Sequence, residues 1–384
     1  MKKTRKCLKI GKKLLATVTF WGKIITDKMS GRKKMKKILA TLLAILMVFT
    51  LAGCGAKEDT AAAPAEDEAF KIALCLNGTL GDKSFFDSGN EGMKMIKDKY
   101  GDKVVTDVLE FTYDDTTWQS QLENVFASES YDVIIVGTYD MLEMTVALTG
   151  EYPDQKVWFY DETWDFDANP RDNVISLLFK QNEGSYLVGY LAAMASKNNH
   201  VSFCGGMSNT VLLDFAAGYE QGAKAYNPDC KVDITWMDSF SESSKGKDVA
   251  SASYAQGVDV VFACGGGAGL GCFDAALEYD DVYVIGVDGD QGAMWADAGE
   301  ADKAAKTLTS MTKNVNVGFF DTFEKELAGT LEYGKNYKLG VEGGYVSAVV
   351  NDATTAALGA DVADTIKQLS KDIVSGAIKV NTAF

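Results

Sequence analysis

The feature that most constrains the fold is a regular alternation of short apolar runs with longer amphipathic stretches. The amphipathic stretches, such as 88–100 and 212–226, place apolar residues at helical spacing. Short apolar runs bounded by turn residues are typical of buried strands. Alternation of strand and helix therefore predicts parallel sheets with helices on both faces. The predicted strands cover residues 70–76, 103–111, 131–136, 156–160, 174–179, 201–204, 231–236, 258–263 and 282–287.

These strands fall into two sets, which predict an α/β protein of two Rossmann-like lobes joined by a hinge. Roughly 330 residues follow Cys54, more than one typical hydrophobic core holds, and this length suits two domains. We expect the chain to cross between lobes near Asn199, Thr307 and Tyr337. Ligands of such sheets bind at the carboxyl ends of the strands. The predicted first lobe is 70–198 plus 307–336, and the second is 199–306 plus 337–384.

An export signal begins at Met35. Two lysines follow it, then an apolar run over 38–51, and the sequence Leu-Ala-Gly-Cys ends at Cys54. The run has the length of a signal-peptide core and is shorter than the roughly 20 apolar residues of a spanning helix. Its ending resembles a lipobox, which implies that Cys54 is lipidated and anchors the chain from outside. The alternative is an uncleaved hydrophobic anchor that ends in Gly-Cys by chance.

The segments on either side of this signal peptide (35–53) lie outside the predicted fold. Residues 1–34 are strongly basic and indicate an over-extended start, or else a very long charged region before the apolar run. Residues 54–69 combine the lipidated cysteine with an Ala- and acid-rich stretch. Such a composition buries little apolar surface, so it predicts a disordered tether.

The charge balance restricts the partners of the protein. The formal net charge of the whole chain is −16, although residues 1–53 contain 14 Lys and Arg against one acidic residue, Asp27. The remaining chain is therefore more acidic still, which excludes binding to nucleic acid because phosphate backbones are repelled. A neutral small ligand is easier to accommodate than an anion.

Cysteine and histidine usage argues against an enzyme. The chain has seven Cys and one His. Five Cys remain after Cys7 and Cys54 are set aside, without CxxC spacing, and most lie in apolar runs, which predicts buried thiols. The single His200 lies at a helix-to-strand junction, and no HExxH or GxSxG motif is present. We expect no catalysis, no cofactor and no metal site.

The loop after the first predicted strand carries the first candidate site residues. It includes Asp82, for which capping of the following helix is the expected role. The neighbouring Phe85 and Phe86 stand beside a glycine-rich turn. Two aromatic residues at such a turn either pack into the hydrophobic core or present a face on which a ligand can stack.

Three further strand ends attract attention. Asp161 and Asp288 each end a predicted strand, where a carboxylate either caps a turn or accepts hydrogen bonds from vicinal hydroxyls or N–H groups. The glycine-rich stretch 265–271 also follows a strand and opens a helix, but it matches neither phosphate-binding spacing. It predicts a loop whose backbone closely approaches a ligand or the other lobe.

Together these segments resemble the basic membrane protein family of lipoproteins. Gly-Asp-Lys-Ser-Phe at 81–85 is similar to the signature Asp-Lys-Ser-Phe-Asn of that family. Further similar motifs follow in the same order at 182–193, 203–207, 215–219, 286–291 and 308–313. The resemblance implies a type I periplasmic-binding-protein fold and a purine nucleoside receptor that serves an ABC importer.

The resemblance also implies roles for individual residues. Phe85 and Phe240 would sandwich the base, and Asp161 would accept N–H bonds from the purine edge. Asp288 would bind the ribose hydroxyls, to which Lys313 would donate. Burial of such carboxylates requires that they be hydrogen-bonded.

Gly266 would allow close approach of the backbone to the ligand. Two positions depart from the family pattern. Asn77 stands where the family usually has Asp, and Phe86 stands where it has Asn. Asn77 offers a donor as well as an acceptor and could select a different ligand substituent.

The sequence thus predicts a lipid-anchored receptor on the extracytoplasmic face of the cell membrane. It would capture a purine nucleoside between two lobes and deliver it to the permease and ATPase of an ABC importer. One alternative keeps the fold and changes the ligand to a sugar or an autoinducer-like molecule. Another is a surface ligand sensor without transport, and a more distant one is a nucleoside hydrolase.

Overall fold

The structure, a computed structural model, describes residues 69–384. The expectations for the export signal, Cys54 and most of the tether lie outside these residues. Within 69–384, no helix has the length and apolar character needed to cross a membrane.

Strands and helices alternate through most of this region, as the sequence pattern predicts. The strands are β1 Phe70–Leu76, β2 Val104–Glu110, β3 Val133–Gly137, β4 Lys156–Tyr160, β5 Val174–Phe179, β6 His200–Gly205, β7 Lys231–Trp236, β8 Val260–Cys264, β9 Tyr283–Asp288, β10 Thr307–Lys313, β11 Lys335–Leu339 and β12 Val346–Ala348. The helices are α1 Phe85–Tyr100, α2 Asp115–Ser128, α3 Leu142–Glu151, α4 Gln181–Ala195, α5 Thr210–Tyr226, α6 Ser243–Ala255, α7 Gly266–Ala276, α8 Gln291–Asp297, α9 Ala301–Lys306, α10 Val315–Leu327, α11 Asp352–Leu358 and α12 Val362–Val374.

The strands form two six-stranded sheets, and this confirms the predicted α/β fold of two Rossmann-like lobes. The first sheet has the order β11-β5-β4-β3-β1-β2, and all its pairs are parallel. The second has the order β12-β10-β9-β8-β6-β7, in which only β12 runs antiparallel to its neighbour. Parallel neighbours direct their carboxyl ends to the same edge of a sheet, so the loops that follow them converge.

The lobe boundaries differ from the sequence prediction at each crossing. The predicted crossing at Thr307 is wrong, because 307–313 forms β10, which is buried throughout and pairs with β9 in the second sheet. The predicted crossing at Tyr337 lies inside β11, which pairs with β5 of the first sheet. Near Asn199, the preceding helix α4 already packs on α5 of the second lobe, so this crossing comes earlier, at Lys180.

Close helix packing explains these assignments. A Cβ at Gly218 or Gly222 of α5 would lie within 2.1 Å of backbone oxygens of α4, so these glycines let the two helices touch. Gly92 of α1 approaches the backbone of Asn316 in α10 in a similar way. Helix α10 therefore returns to the first lobe, as expected, while β10 and β12 stay in the second. We propose that the lobes are linked by 180–181, 313–315 and 339–346.

Candidate ligand-binding site

A cavity of about 360 Å³ lies between the two sheets, at the carboxyl ends of their strands. Its volume is in the range of small-molecule sites. The first lobe contributes the loops after β1, β3 and β4, and the second contributes those after β7, β8 and β9. All seven binding residues predicted from the sequence line this one cavity: Asn77, Phe85, Asp161, Phe240, Gly266, Asp288 and Lys313.

Three strand ends at the cavity have unusual backbone conformations. Thr138 follows β3 with φ 73°, Asp161 follows β4 with φ 64°, and Asp288 ends β9 with φ 64°. Positive φ is uncommon for residues other than glycine and costs of order 1–3 kcal/mol each. Such strain is concentrated at binding sites, and here it turns three polar side chains toward the cleft.

A buried cluster of charges forms the polar part of the cavity. Lys313 at the end of β10 is 1% exposed, and its Nζ forms an ion pair with Asp161 Oδ1. The same Nζ lies 5.0 Å from the ring centroid of Phe85 and 5.3 Å from that of Phe215. Lys313 also acts electrostatically on Asp288. One ammonium group is thus shared between two carboxylates.

The shared ammonium does not fully offset the burial of these carboxylates. Burial raises the pKa of Asp161, although Lys313 acts to lower it. Burial raises the pKa of Asp288 to about 7, against the opposing effects of Lys313 and of a hydrogen bond from Ser84. Asp288 therefore exchanges its proton near neutral pH, and hydrogen-bond donors from a ligand would favour its ionised form.

Each lobe presents an aromatic face to the cavity. Phe85 stacks on Tyr160 with ring centroids 5.4 Å apart and an interplanar angle of 22°. Phe86 meets Phe85 edge-on, lines the cavity, and lies so close to Gly78 that a Cβ there would be 2.2 Å from its ring. Phe86 therefore packs against the turn at Gly78 and also forms part of the cavity lining.

Phe240 of the second lobe lies over Gly206, where a Cβ would be 2.3 Å from its ring. Its carbonyl oxygen accepts from the Ala268 amide at 3.1 Å. Gly266 adopts φ 54° beside the same carbonyl. Glycine at 206 thus makes room for the Phe240 ring, and glycine at 266 lies beside the Phe240 carbonyl at the start of α7.

The glycine-rich stretch 265–271 opens a helix, as the sequence predicts, but Gly266 already begins α7, so most of the stretch is helical rather than a loop. A Cβ at Gly271 would lie 1.8 Å from the Ser243 carbonyl oxygen of α6. At least this glycine serves helix packing. Gly265 and Gly266 are the residues of the stretch that reach the cavity.

The loop after β1 is ordered by its own side chains. Asp82 accepts from the amides of Ser84, Phe86 and Asp87 at 2.9–3.1 Å, which agrees with the capping role predicted for it. Burial raises the pKa of Asp82 to about 6. Asn77 donates from Nδ2 to Thr138 Oγ1 at 2.9 Å, so it is held against the neighbouring strand end.

Sequence reasoning missed several residues at the cavity. Thr138, Tyr139 and Asp140 come immediately after β3, so the same position at a strand end that pointed to Asp161 could have pointed to them. Further cavity residues do not stand at the end of a strand, because they belong to helices or longer loops, so their sequence positions do not point to the cleft. These are Tyr113, Asp115, Trp118, Met207, Asn209, Val211, Leu212 and Phe215.

The remaining candidates lie elsewhere. His200 begins β6, at the opposite end of the sheet from the cavity, and its Nε2 lies 2.6 Å from Asp233 Oδ2. Five cysteines in the described region are free and buried, in agreement with the expectation of buried thiols; they are Cys75, Cys204, Cys230, Cys264 and Cys272. Residues 69–384 contain no cluster of three or more His, Cys, Asp or Glu side chains suited to a metal ion.

Two lobes around a polar and aromatic cavity define a ligand-binding protein of the periplasmic-binding-protein class. The sequence from residue 69 to residue 383 matches the family described as ABC transporter substrate-binding protein PnrA-like, and the chain belongs to this family. Proteins of this family are the extracytoplasmic substrate-binding components of ABC transporters, with a permease and an ATPase as partners.

Relatives cover nearly the whole chain. The CD4+ T-cell-stimulating antigen of Listeria monocytogenes is 31% identical over 362 residues, 91% of this chain and 99% of that protein. The ABC transporter nucleoside-binding protein BmpA of Lactococcus lactis is 29% identical over 90% of this chain and 99% of its own length. Basic membrane protein A of Borreliella burgdorferi is 30% identical over 83% of this chain and 88% of that protein. This relative confirms the resemblance to the basic membrane protein family that the motifs indicate.

Solved structures support the fold. An ABC transporter solute-binding protein from Aeropyrum pernix K1 superposes with a TM-score of 0.71 at 22% identity, over 82% of this chain and 93% of that one. An ABC transporter solute-binding protein from Conexibacter woesei superposes with a TM-score of 0.66 at 21% identity, over 82% of this chain and 100% of that one.

Proposed function

We propose that this protein captures a purine nucleoside in the cleft between its lobes and delivers it to an ABC importer. The observation that carries the proposal is one cavity with an aromatic ring from each lobe, Phe85 and Phe240, and the buried charges of Asp161, Lys313 and Asp288. A flat base suits the aromatic faces, and ribose hydroxyls suit the charges. The nucleoside-binding name of the Lactococcus lactis relative supports the same ligand class.

The polar groups would provide specificity. Asp161 accepts hydrogen bonds, so it favours the N–H groups of a purine edge, while Asp288 suits a pair of ribose hydroxyls. A ligand without these donors would leave buried carboxylates unpaired, which costs about 1–3 kcal/mol or more per group. No chemical step is required of these residues.

Acidic lining residues argue against phosphorylated ligands. Asp115, Asp140 and Asp238 add negative charge to the cavity wall. The one lysine of the lining, Lys313, is already engaged by Asp161. A nucleotide would bring its phosphate into this field without a free cation to receive it, so a nucleoside is the better fit.

The protein is also proposed to be held on the outer face of the cell membrane by lipid on Cys54. The lipobox-like ending of the export signal supports this anchor. The family places its members outside the cytoplasm, where such an anchor keeps a receptor near its permease.

The first test is calorimetric titration of the chain that follows Cys54, after unfolding and refolding to remove any carried ligand. We expect submicromolar binding of inosine, guanosine or adenosine, weaker binding of cytidine, and none of ribose or of inosine monophosphate. Binding of the monophosphate as tight as that of inosine would contradict the charge argument. If no nucleoside binds, the proposal is refuted, and sugars and autoinducer-like molecules become the next ligands to titrate.

A further inference from the structure

The loop after β1 reaches across the cleft and bonds to the second lobe. Ser84 donates from Oγ to Asp288 Oδ2. Gln291 donates from Nε2 to the Lys83 carbonyl oxygen at 3.1 Å. Ser84 and Gln291 are each 1% exposed; the bond from Ser84 to Asp288 is buried, and the bond from Gln291 to Lys83 is partly buried. Burial strengthens a hydrogen bond to a carboxylate.

The Ser84 hydroxyl has no local task that would explain its position. Ser84 is the residue before α1, but its side chain makes no capping bond. The amides at the start of the helix are satisfied by Asp82 instead. The hydroxyl is therefore available to the opposite lobe, and its hydrogen bond to Asp288 is the contact that the structure gives it.

Gln291 is held so that its amide nitrogen must face the first lobe. Its Oε1 accepts from the Val287 amide at 3.1 Å, and because a backbone N–H can only donate, this bond fixes which end of the side chain carries oxygen. Its backbone amide donates to Ser310 Oγ at 3.1 Å. The Nε2 donor is thus directed at Lys83 by bonds within the second lobe.

We propose that Ser84 and Gln291 form an interlobe latch that holds the two lobes together across the cleft and that sets how fast a bound ligand leaves. The inference rests on the proposed function only in taking the cleft as the ligand site. Ser84 acts as a positioning residue, because it holds one oxygen of Asp288 and leaves the other for a ligand hydroxyl. Both bonds join residues of different lobes, so they stabilise the closed arrangement rather than the fold of either lobe.

The variants Ser84→Ala and Gln291→Glu test the latch separately. Ser84→Ala removes only the hydroxyl. Gln291→Glu keeps the acceptor for Val287 but replaces the donor by an oxygen that repels the Lys83 carbonyl. Ser120→Ala is the matched control, because its hydroxyl bonds to Thr117 within α2 of the same lobe.

Stopped-flow binding of inosine and guanosine gives the decisive rates. In both latch variants we expect the dissociation rate to rise about tenfold, as for loss of a hydrogen bond to a charged or buried group, with the association rate within twofold of the original. The control should match the original protein. Unchanged dissociation in both variants, or a change confined to association, would overturn the latch.

Lobe separation provides a readout that does not need nucleoside binding. Dyes attached through unnatural amino acids at the exposed positions Asp98 and Asp229 report it by single-molecule energy transfer. Both latch variants should spend more time with the dyes far apart, with or without nucleoside. If the original protein binds no nucleoside, the proposed function fails, but this distance still decides the latch, and an unchanged distribution would refute it.

Discussion

At the scale of single residues, Asp288 is the most sensitive group of the site. It is buried beside Lys313 and Ser84, with Asp161 and Asp82 as further negative neighbours. Burial raises its pKa from 3.8 to about 7. A carboxyl with a raised folded-state pKa adds stability that is complete below its unfolded pKa and is lost as the pH rises through the folded one. Stability should therefore fall between about pH 4 and pH 7.

The variant Asp288→Asn removes this pH dependence, because an amide does not ionise. We expect its unfolding temperature to exceed that of the original protein by several degrees at pH 8 and by much less at pH 5. Between pH 5 and pH 7 the folded carboxyl stays mostly protonated while the unfolded one is ionised, and these two pH units correspond to about 3 kcal/mol at most. Calorimetric unfolding at both pH values measures it, with the exposed Asp154→Asn as control. A variant less stable than the original at pH 8 would contradict the assignment.

The sequence identifies a cavity residue when its position relative to a predicted strand or helix places it at the cleft. Asp161 and Asp288 were recognisable because each ends a strand, and the carboxyl ends of parallel strands meet at the cleft. The role of Ser84 was not recognisable. Its partner Asp288 is 204 residues away, and a hydroxyl next to a helix start looks like an ordinary cap.

At the scale of elements, β10 shows why one strand escaped the sequence pattern. Most of its side chains are polar, yet all seven residues are buried. Their hydroxyls are satisfied: Thr309 donates to the Val349 carbonyl at 2.5 Å, and Thr312 pairs with Ser347 at 2.6 Å. A buried polar strand gives no apolar run, so the sequence pattern predicts no strand at 307–313.

The C-terminal segment forms a brace behind the cavity. Asp214 of α5 is 1% exposed and accepts from Thr382 Oγ1 at 2.7 Å and from the Ala383 amide at 2.9 Å. Gln181 at the start of α4 donates to its other oxygen at 2.8 Å. The next residue, Phe215, lines the cavity. The brace therefore connects the chain end to the wall of the site.

We expect Thr382→Val to lower the free energy of unfolding by about 1–2 kcal/mol, because a buried carboxylate loses one of its donors. Urea unfolding measures the change. Thr365→Val on α12 is the control, since its exposed hydroxyl bonds only to the Asp361 carbonyl of the same helix start. An equal decrease in the free energy of unfolding in both variants would mean that the hydrogen bond from Thr382 to Asp214 stabilises the protein no more than a threonine on the surface does.

At the scale of the whole molecule, the three linking segments are bonded to one another. The Lys180 amide donates to the Leu339 carbonyl at 2.8 Å, and the Asn314 amide donates to the Tyr345 carbonyl at 2.8 Å. Glu183 joins two segments, because it pairs with Lys180 Nζ at 2.6 Å and accepts from the Val341 amide at 2.9 Å. The hinge is thus a small hydrogen-bonded unit. The interlobe latch lies at the loop after β1, which in the first sheet is far from β11.

Glu183→Ala should loosen this hinge without unfolding either sheet. The Val341 amide loses its acceptor, so we expect hydrogen exchange in 340–345 to accelerate at least about tenfold, while β8 and β9 keep their protection. Exchange followed by mass spectrometry measures this. Glu220→Ala is the matched control, because Glu220 pairs with Lys224 at 2.6 Å on an exposed face, where such pairs contribute little. Unchanged exchange in 340–345 would show that Glu183 does not hold the linking segments together.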